Sequence, residues 1–308
     1  MKHIHSLEEG IDVFKALGSE VRVEILKILH NNPDINMNEI ASQLNITNGA
    51  LTAHIKKLED TGLIAISNDL FGHGNQKNYT VCLDKLLVDF FPDPSPTNIF
   101  ETSLKVGQYS DFNLVPTCGL ATADHLIGEV DDIRYFAHPQ HYEADILWFT
   151  KGYVEYIIPN LIPAYQKIDS LSISAELSSE APGFNDVWPS DIYFYLNDIF
   201  LGTWTSPGDF GEVKGLFTPP WWPIGWNQYG LLKNLLINKE GTFIDGLRLS
   251  NVTIETLNLD YKSKMKLKLA IPDTAKHIGG LTIFGKGFGN YNQNINVRMS
   301  YSPINPLC

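Results

Sequence analysis

Apolar residues recur at helical spacing through the first sixty positions and at alternating spacing through most of the last two hundred. Val13, Phe14 and Leu17 form the inner face of a first helix, which Gly18-Ser19 breaks, and Ser19 is placed to cap a second. In that second helix Val21, Ile25, Ile28 and Leu29 fall on one side and leave Arg22 and Lys27 on the other. Asn36 with Glu39 three residues on reads as a variant capping box, before a short helix whose inner face is Ile40, Ala41 and Leu44. Asn45-Ile46 is a tight link. Thr47 then caps a longer helix in which Leu51, Ile55 and Leu58 lie at i, i+4 and i+7, and Gly62 marks its stop. A strand over 63–67, a Gly/Asn-rich tip at 71–75 and a return over 78–83 predict a hairpin, and 84–90 reads as a short last helix.

The helix behind Thr47 turns Gly49, Thr52, Ala53, Lys56 and Lys57 outward. That face is small near its N-terminal end and cationic further on, which suits a major groove, with short polar groups near base edges and lysines near phosphate. An amphipathic helix with a solvated polar face is the plainer alternative. Two short helices joined this closely and followed by a hairpin are, however, the signature of a winged helix-turn-helix.

Residues 13–83 resemble the winged helix-turn-helix domain of the ArsR-type bacterial repressors. The likeness rests on Phe14-Lys-Ala-Leu-Gly-Ser-Glu-Val-Arg-Val-Glu-Ile-Leu-Lys-Ile-Leu29 at the entry into the second helix and on Thr47-Asn-Gly-Ala-Leu-Thr-Ala-His-Ile55 in the recognition helix. Thr61-Gly-Leu-Ile64 and Lys77-Asn-Tyr79 match the helix exit and the returning wing strand. The chain departs from the family at Ala53, where a long polar side chain is usual. The resemblance implies double-stranded DNA as partner and a homodimer. It places Asn48, Thr52 and His54 near base edges, and Thr47, Lys56 and Lys77 toward phosphate. Many members sense metals through cysteine pairs in the helix before the recognition helix. Here that helix, 38–44, holds no cysteine, so thiolate sensing there is not supported.

Three prolines within 91–96 cannot continue a helix and make a stiff spacer. Beyond it, runs rich in β-branched and aromatic residues alternate with Gly, Pro, Asn and Asp. Strands are predicted over 145–150, 153–158, 168–177, 191–196, 199–204, 231–237, 246–257, 264–271, 280–284 and 295–301, with only 122–136 helical or irregular. Asn197-Asp198 is a two-residue hairpin turn, and Lys266 to Ala270 alternates a wet and a buried face. The expectation is a multidomain α+β chain. It comprises a winged helix-turn-helix domain over 1–90, a proline-rich linker over 91–98, and an all-β, jelly-roll-like sandwich over 99–308 that senses a ligand and dimerises.

Composition narrows the partners. The net charge is −12, and residues 1–90 carry 8 Lys and Arg against 12 Asp and Glu, a net of −4. Non-specific DNA affinity runs on lysine and arginine, so binding depends on a local patch of Arg22, Lys27, Lys56, Lys57 and Lys77 and on dimerisation. Three scattered cysteines, no apolar leader and no membrane-length apolar run lead us to expect a cytoplasmic protein with no cofactor and no membrane partner.

The second half holds the candidate ligand chemistry. Trp204, Trp221, Trp222 and Trp226 lie within twenty-three residues around Thr218-Pro-Pro-Trp-Trp-Pro-Ile-Gly-Trp226. Such rings can close one end of the sandwich, line a ligand mouth where sugar C–H faces stack, or meet a second copy. His138 and His141 in HPQHYEAD can hydrogen-bond a polar ligand, but with no third ligand indicated no metal is expected. Gly285-Lys-Gly-Phe-Gly-Asn290 lacks phosphate-loop spacing and reads as a glycine-rich turn. No catalytic set stands out. A glycoside-active enzyme would need two carboxylates among Asp186, Asp191, Asp209 and Glu212 to converge.

Overall fold

The computed structural model describes residues 2–4, 6–32, 35–67, 78–83, 86–88, 90 and 98–304. The chain divides into two compact units, Met1–Pro94 and Ser95–Cys308. The wing tip at 71–75, Lys77 and the proline-rich 91–97 lie outside the described residues.

The first unit runs β1 (Lys2–Ile4), α1 (Leu7–Leu17), α2 (Glu20–Asn31), α3 (Met37–Gln43), α4 (Asn48–Asp60), β2 (Ile64–Ser67), β3 (Asn78–Val81) and β4 (Leu86–Val88). Local chemistry sets most helix ends. Asn36 and Glu39 close a full capping box on α3, side chain to backbone in both directions. Thr47 accepts from the Ala50 amide at the head of α4. At its foot the Leu63 amide reaches the Leu58 carbonyl and the Gly62 amide the Glu59 carbonyl, with Gly62 at φ +68°. That is a Schellman stop, and it requires the left-handed residue that glycine supplies. Ser19 precedes α2 without a side-chain cap. Instead Arg22, expected to be outward and free, donates to the carbonyls of Lys15 and Ala16 and closes the end of α1.

Val13, Ile25, Leu29, Ile40, Leu51, Ile55 and Leu58 interlock in one core with Leu63, Ile64 and Tyr79. β2 and β3 pair antiparallel from Ile64↔Val81 to Ser67↔Asn78, the two legs of the wing. The helix expected over 84–90 is not found: Leu86–Val88 is β4, paired parallel with β1. A three-residue apolar run has no intrinsic commitment to helix, and here a partner strand from the far end of the unit takes it.

The second unit is an all-β sandwich. Its strands are β5 (Asn98–Leu104), β6 (Tyr109–Ala121), β7 (Ile146–Ile158), β8 (Gln166–Ser178), β9 (Ser190–Leu196), β10 (Ile199–Ser206), β11 (Leu231–Ile237), β12 (Thr242–Ile244), β13 (Leu247–Ser250), β14 (Met265–Ile271), β15 (Leu281–Phe284) and β16 (Ile295–Pro303). One layer runs β10-β9-β14-β7-β6 and the other β5-β16-β8-β11-β12-β13, with β15 hydrogen-bonded to both β7 and β8 and so stitching them together. The strands expected over 145–150 and 153–158 are one strand. Gly152 at φ +113° carries β7 through, where a Cβ would lie 1.8 Å from the Asn113 carbonyl oxygen. β5 and β6 were not foreseen. Among the named strands β6 pairs with β7, and the irregularity in that ladder between Val115 and Cys118 accommodates Pro116. The expected strand over 246–257 stops at Ser250.

Asn197 and Asp198, at φ +49° and +63°, form the predicted tight turn between β9 and β10. No helix among the described residues is long and apolar enough to cross a membrane. Among them, no group of three or more His, Cys, Asp or Glu is placed to hold a metal ion.

Candidate nucleic-acid interface and effector surfaces

α3 and α4 meet through a turn in which Asn45 takes φ +52° and the Ile46 amide returns to the Ala41 carbonyl at 3.0 Å. With Leu51, Ile55 and Leu58 turned into the core, α4 exposes Asn48, Gly49, Ala50, Thr52, Ala53 and Lys56. Two contacts set its first turns. Asn48 Nδ2 donates to Asn38 Oδ1 at 2.8 Å, tying α4 to α3, and Thr52 Oγ1 donates to the Asn48 carbonyl at 2.8 Å. Asn48 and Thr52 are both exposed, beside the small residues Gly49, Ala50 and Ala53. His54 is half-buried beside the core face.

The expected cationic patch is thinner than its residue count. Arg22 is spent on α1, Lys27 pairs with Glu24 at 2.7 Å, and Lys57 lies 3.7 Å from Asp12 of α1. Lys56 is exposed and makes no ion pair among the described residues, while Lys77 lies outside them. With so little free positive charge, affinity has to come from fit more than from general attraction to phosphate.

The four tryptophans do not form one surface. Trp222 is 1% exposed, donates its Nε1–H to the Asn227 carbonyl, and meets Trp148, Trp226 and Phe288 edge-on at 5.0–5.7 Å. It therefore plugs the end of the sandwich and has no face for a ligand. Trp226 is half-buried against the same plug, and Trp204 lies half-buried on the main core under the Lys233 ammonium, 4.5 Å from its ring. Trp221 alone of the four is exposed, its Nε1–H tied to the Ala123 carbonyl.

The histidines separate too. His141 is buried, stacked 4.5 Å from Tyr109, and donates from Nδ1 to the Gly107 carbonyl at 2.7 Å. Burial lowers its pKa, against the pull of that carbonyl. His138 is exposed and accepts from the Gln140 amide as the cap of a 3-10 turn, Pro139–Glu143. The expected pair does not converge on a ligand, because His141 is used up inside.

Comparison with known protein sequences falls on the first unit. The family model "Winged helix-turn-helix DNA-binding" matches residues 19–65. An uncharacterized HTH-type transcriptional regulator of Methanocaldococcus jannaschii is 35% identical over 82 residues, which are 26% of this chain and 85% of that protein. The chain belongs to the HTH-type transcriptional regulators. Its first unit is therefore a DNA-binding winged helix-turn-helix. Among solved structures the regulator is similar to reduced HlyU of Vibrio cholerae N16961, at 26% identity over 23% of this chain and 70% of that one, with a TM-score of 0.20. It is also similar to a carbohydrate-binding module, CBM36, in complex with calcium and xylotriose, at 8% identity over 65% of this chain and 98% of that one, with a TM-score of 0.27.

The void between Ile173, Phe194, Lys233, Leu235 and Leu267 measures about 10 Å³, room for a single water at most. Charges buried around it are locally answered: Lys233 pairs with Asp245 at 2.7 Å, and Asp245 also accepts the Asn234 amide. Three carboxylates are buried with neutral partners. Glu176 accepts the amides of Gly230, Asn290 and Tyr291, and its carboxylate fills the space a Cβ of Gly289 would take. That fixes the glycine-rich turn as a structural one. Burial pushes Glu176 up to about 8 against those three amides. Glu180 is bound by Thr117, Asn227 and Thr282, and burial, then neighbouring Asp209, raises it well above the carboxylate range. Asp209 is fully enclosed and accepts the Ala181 amide, and burial brings it to about 7. Of the carboxylates considered for glycoside chemistry, Asp209 is thus sealed from solvent, and Asp191 is held by Thr205 and by the His277 amide.

Proposed function

We propose that the chain is a ligand-responsive repressor that binds operator DNA as a homodimer and takes a small effector, a carbohydrate, on its β-sandwich. The observation that supports it best is the outward face of α4, with Asn48 and Thr52 among glycine and alanines on a helix locked to α3. Such a face can sink into a major groove, where Asn and Thr pair with base edges. Thr47, Lys56 and Lys77 then lie toward phosphate and His54 beside the reading face. In a dimer the two α4 helices meet half-sites about one helical turn apart, about 34–36 Å. The effector acts by favouring one placement of the two DNA-binding units over another, which needs differential affinity for the two states.

Selection from randomised duplexes with the full chain tests the DNA reading. An inverted repeat should be enriched, and Thr52→Ala should relax preference within each half-site. Recovery of unrelated sequences would sink it. Operator affinity that no small molecule changes would instead support a constitutive regulator whose sandwich only assembles the dimer.

A further inference from the structure

The outer face of the β10-β9-β14-β7-β6 layer carries a feature the tryptophan loop lacks. Strand register places Phe200, Tyr195, Lys268, Glu155 and Asp111 in one row across five strands, and Tyr193, Ala270 and Tyr153 in the next. Their neighbours in sequence, Phe194, Leu267, Leu269, Val154 and Tyr156, are buried in the core, so these rows stand on the other side. Tyr193, Tyr195 and Phe200 touch. Phe200 lies 5.4 Å from each tyrosine ring, and the two tyrosines are 6.5 Å apart and within 17° of parallel. Phe200 is 46% exposed. Ala270, the small residue between Tyr193 and Tyr153, is itself buried, so the seat is the surface of the rings.

The polar groups around the seat are organised as well. Lys268 lies 5.1 Å over the Tyr153 ring, 2.7 Å from Asp198 and 3.5 Å from the buried Glu155. Lys266 also reaches Glu155, at 3.0 Å, and the Tyr153 hydroxyl donates to Asp111 at 2.9 Å. Cross-strand aromatic pairs such as Tyr195 and Phe200 help hold a sheet, and a contiguous aromatic patch on its wet side also offers a binding surface. Two ammonium groups stand against three carboxylates here, so the seat offers an anion no unmatched positive charge, and its rings need an apolar face. The occupant that fits is neutral, with C–H faces to lie on rings and hydroxyls to exchange hydrogen bonds with paired Lys, Asp and Glu. Tyr193 and Tyr153, in one row on either side of β14, stand two strand spacings apart, about 10 Å, a reach that suits more than one sugar ring.

We propose that this sheet face binds a neutral oligosaccharide, with Tyr193, Tyr195 and Phe200 stacking on its sugar rings and Lys268 and Asp198 hydrogen-bonding its hydroxyls. The proposal rests on the effector reading above and gives that effector a place. The test is calorimetric titration of the full chain with cello-, xylo-, manno- and maltotetraose. The variants Tyr195→Ala, Phe200→Ala and Trp221→Ala are compared, with melting curves confirming that each is folded. At least one tetrasaccharide should bind. Tyr195→Ala and Phe200→Ala should each weaken it tenfold or more, and Trp221→Ala should change it less than twofold. Binding lost in Trp221→Ala and kept in the other two overturns the sheet-face site while leaving a sugar-responsive regulator. No binding of any tetrasaccharide to the unaltered protein overturns the proposal outright. In that case, a small-molecule extract that still changes operator affinity leaves the effector reading standing, and one that does not removes both.

Discussion

Gly49→Ala should stabilise the DNA-binding unit and impair DNA binding at once. A Cβ at Gly49 would meet nothing within 4 Å, and its φ is not in the left-handed region, so nothing in the fold requires glycine there. A glycine inside a helix costs about 0.5–1 kcal/mol relative to alanine. For a unit of this size that is a rise of about 2–8 °C in its melting temperature. All α-helices among the described residues lie in the first unit, so ellipticity at 222 nm follows its transition in the full chain. On DNA the sign reverses. Between Asn48 and Thr52 an added methyl keeps the backbone from its closest approach, and displacing one base contact costs about 1–3 kcal/mol, roughly five- to a hundred-and-fiftyfold in affinity. Fluorescence anisotropy on a selected operator reads that change. A variant that melts higher and binds DNA as before would refute the close approach of this turn, and one that melts lower would refute the reading of the helix itself.

Three further outcomes are expected. Asp245→Asn keeps the turn-forming side chain but leaves the Lys233 ammonium buried beside Trp204 without its charge partner, and should cost the second unit about 3–5 kcal/mol in urea unfolding; a loss below about 1 kcal/mol would show that water reaches the pair. Asp209 and Glu176 hold protons when folded up to about pH 7 and 8, whereas the unfolded chain releases them near its ordinary carboxylate values. Their stabilisation is therefore present below those ordinary values and is lost as pH rises through 7 to 8. The melting temperature of the second unit should fall between pH 5 and 8.5, with Asp209→Asn flattening the slope, and an unchanged slope in that variant would contradict the assignment. Lys56→Ala should weaken operator and non-operator DNA alike and reduce the slope of log affinity against log salt by about 1, with an unchanged slope placing Lys56 away from phosphate.

The helices of the first unit could be read from residues one to four apart. Asn36 with Glu39, Thr47 with Ala50, Gly62 after Asp60, and the Leu51-Ile55-Leu58 stripe are each complete within a turn or two, and each is found in place. Asn197-Asp198 belongs with them, since two adjacent left-handed residues make the turn without outside help. The interactions that escaped join distant parts of the chain. β4 is a strand only because Lys2–Ile4 pairs with it, and β5 is held by β16, where Arg298 meets Glu101 across 197 positions. Nor can periodicity tell that Trp222 would be enclosed and Trp221 exposed, or that Arg22 would turn back to close α1. The rings of Tyr153, Tyr193, Tyr195 and Phe200 come from three strands, and only the register of the sheet brings them to one face. Sequence by itself determined the local structure and the winged helix-turn-helix resemblance, because caps, stops and helical period act over a few residues. The use of each polar or aromatic side chain was decided by tertiary structure, because burial and pairing depend on partners that only the folded chain brings together.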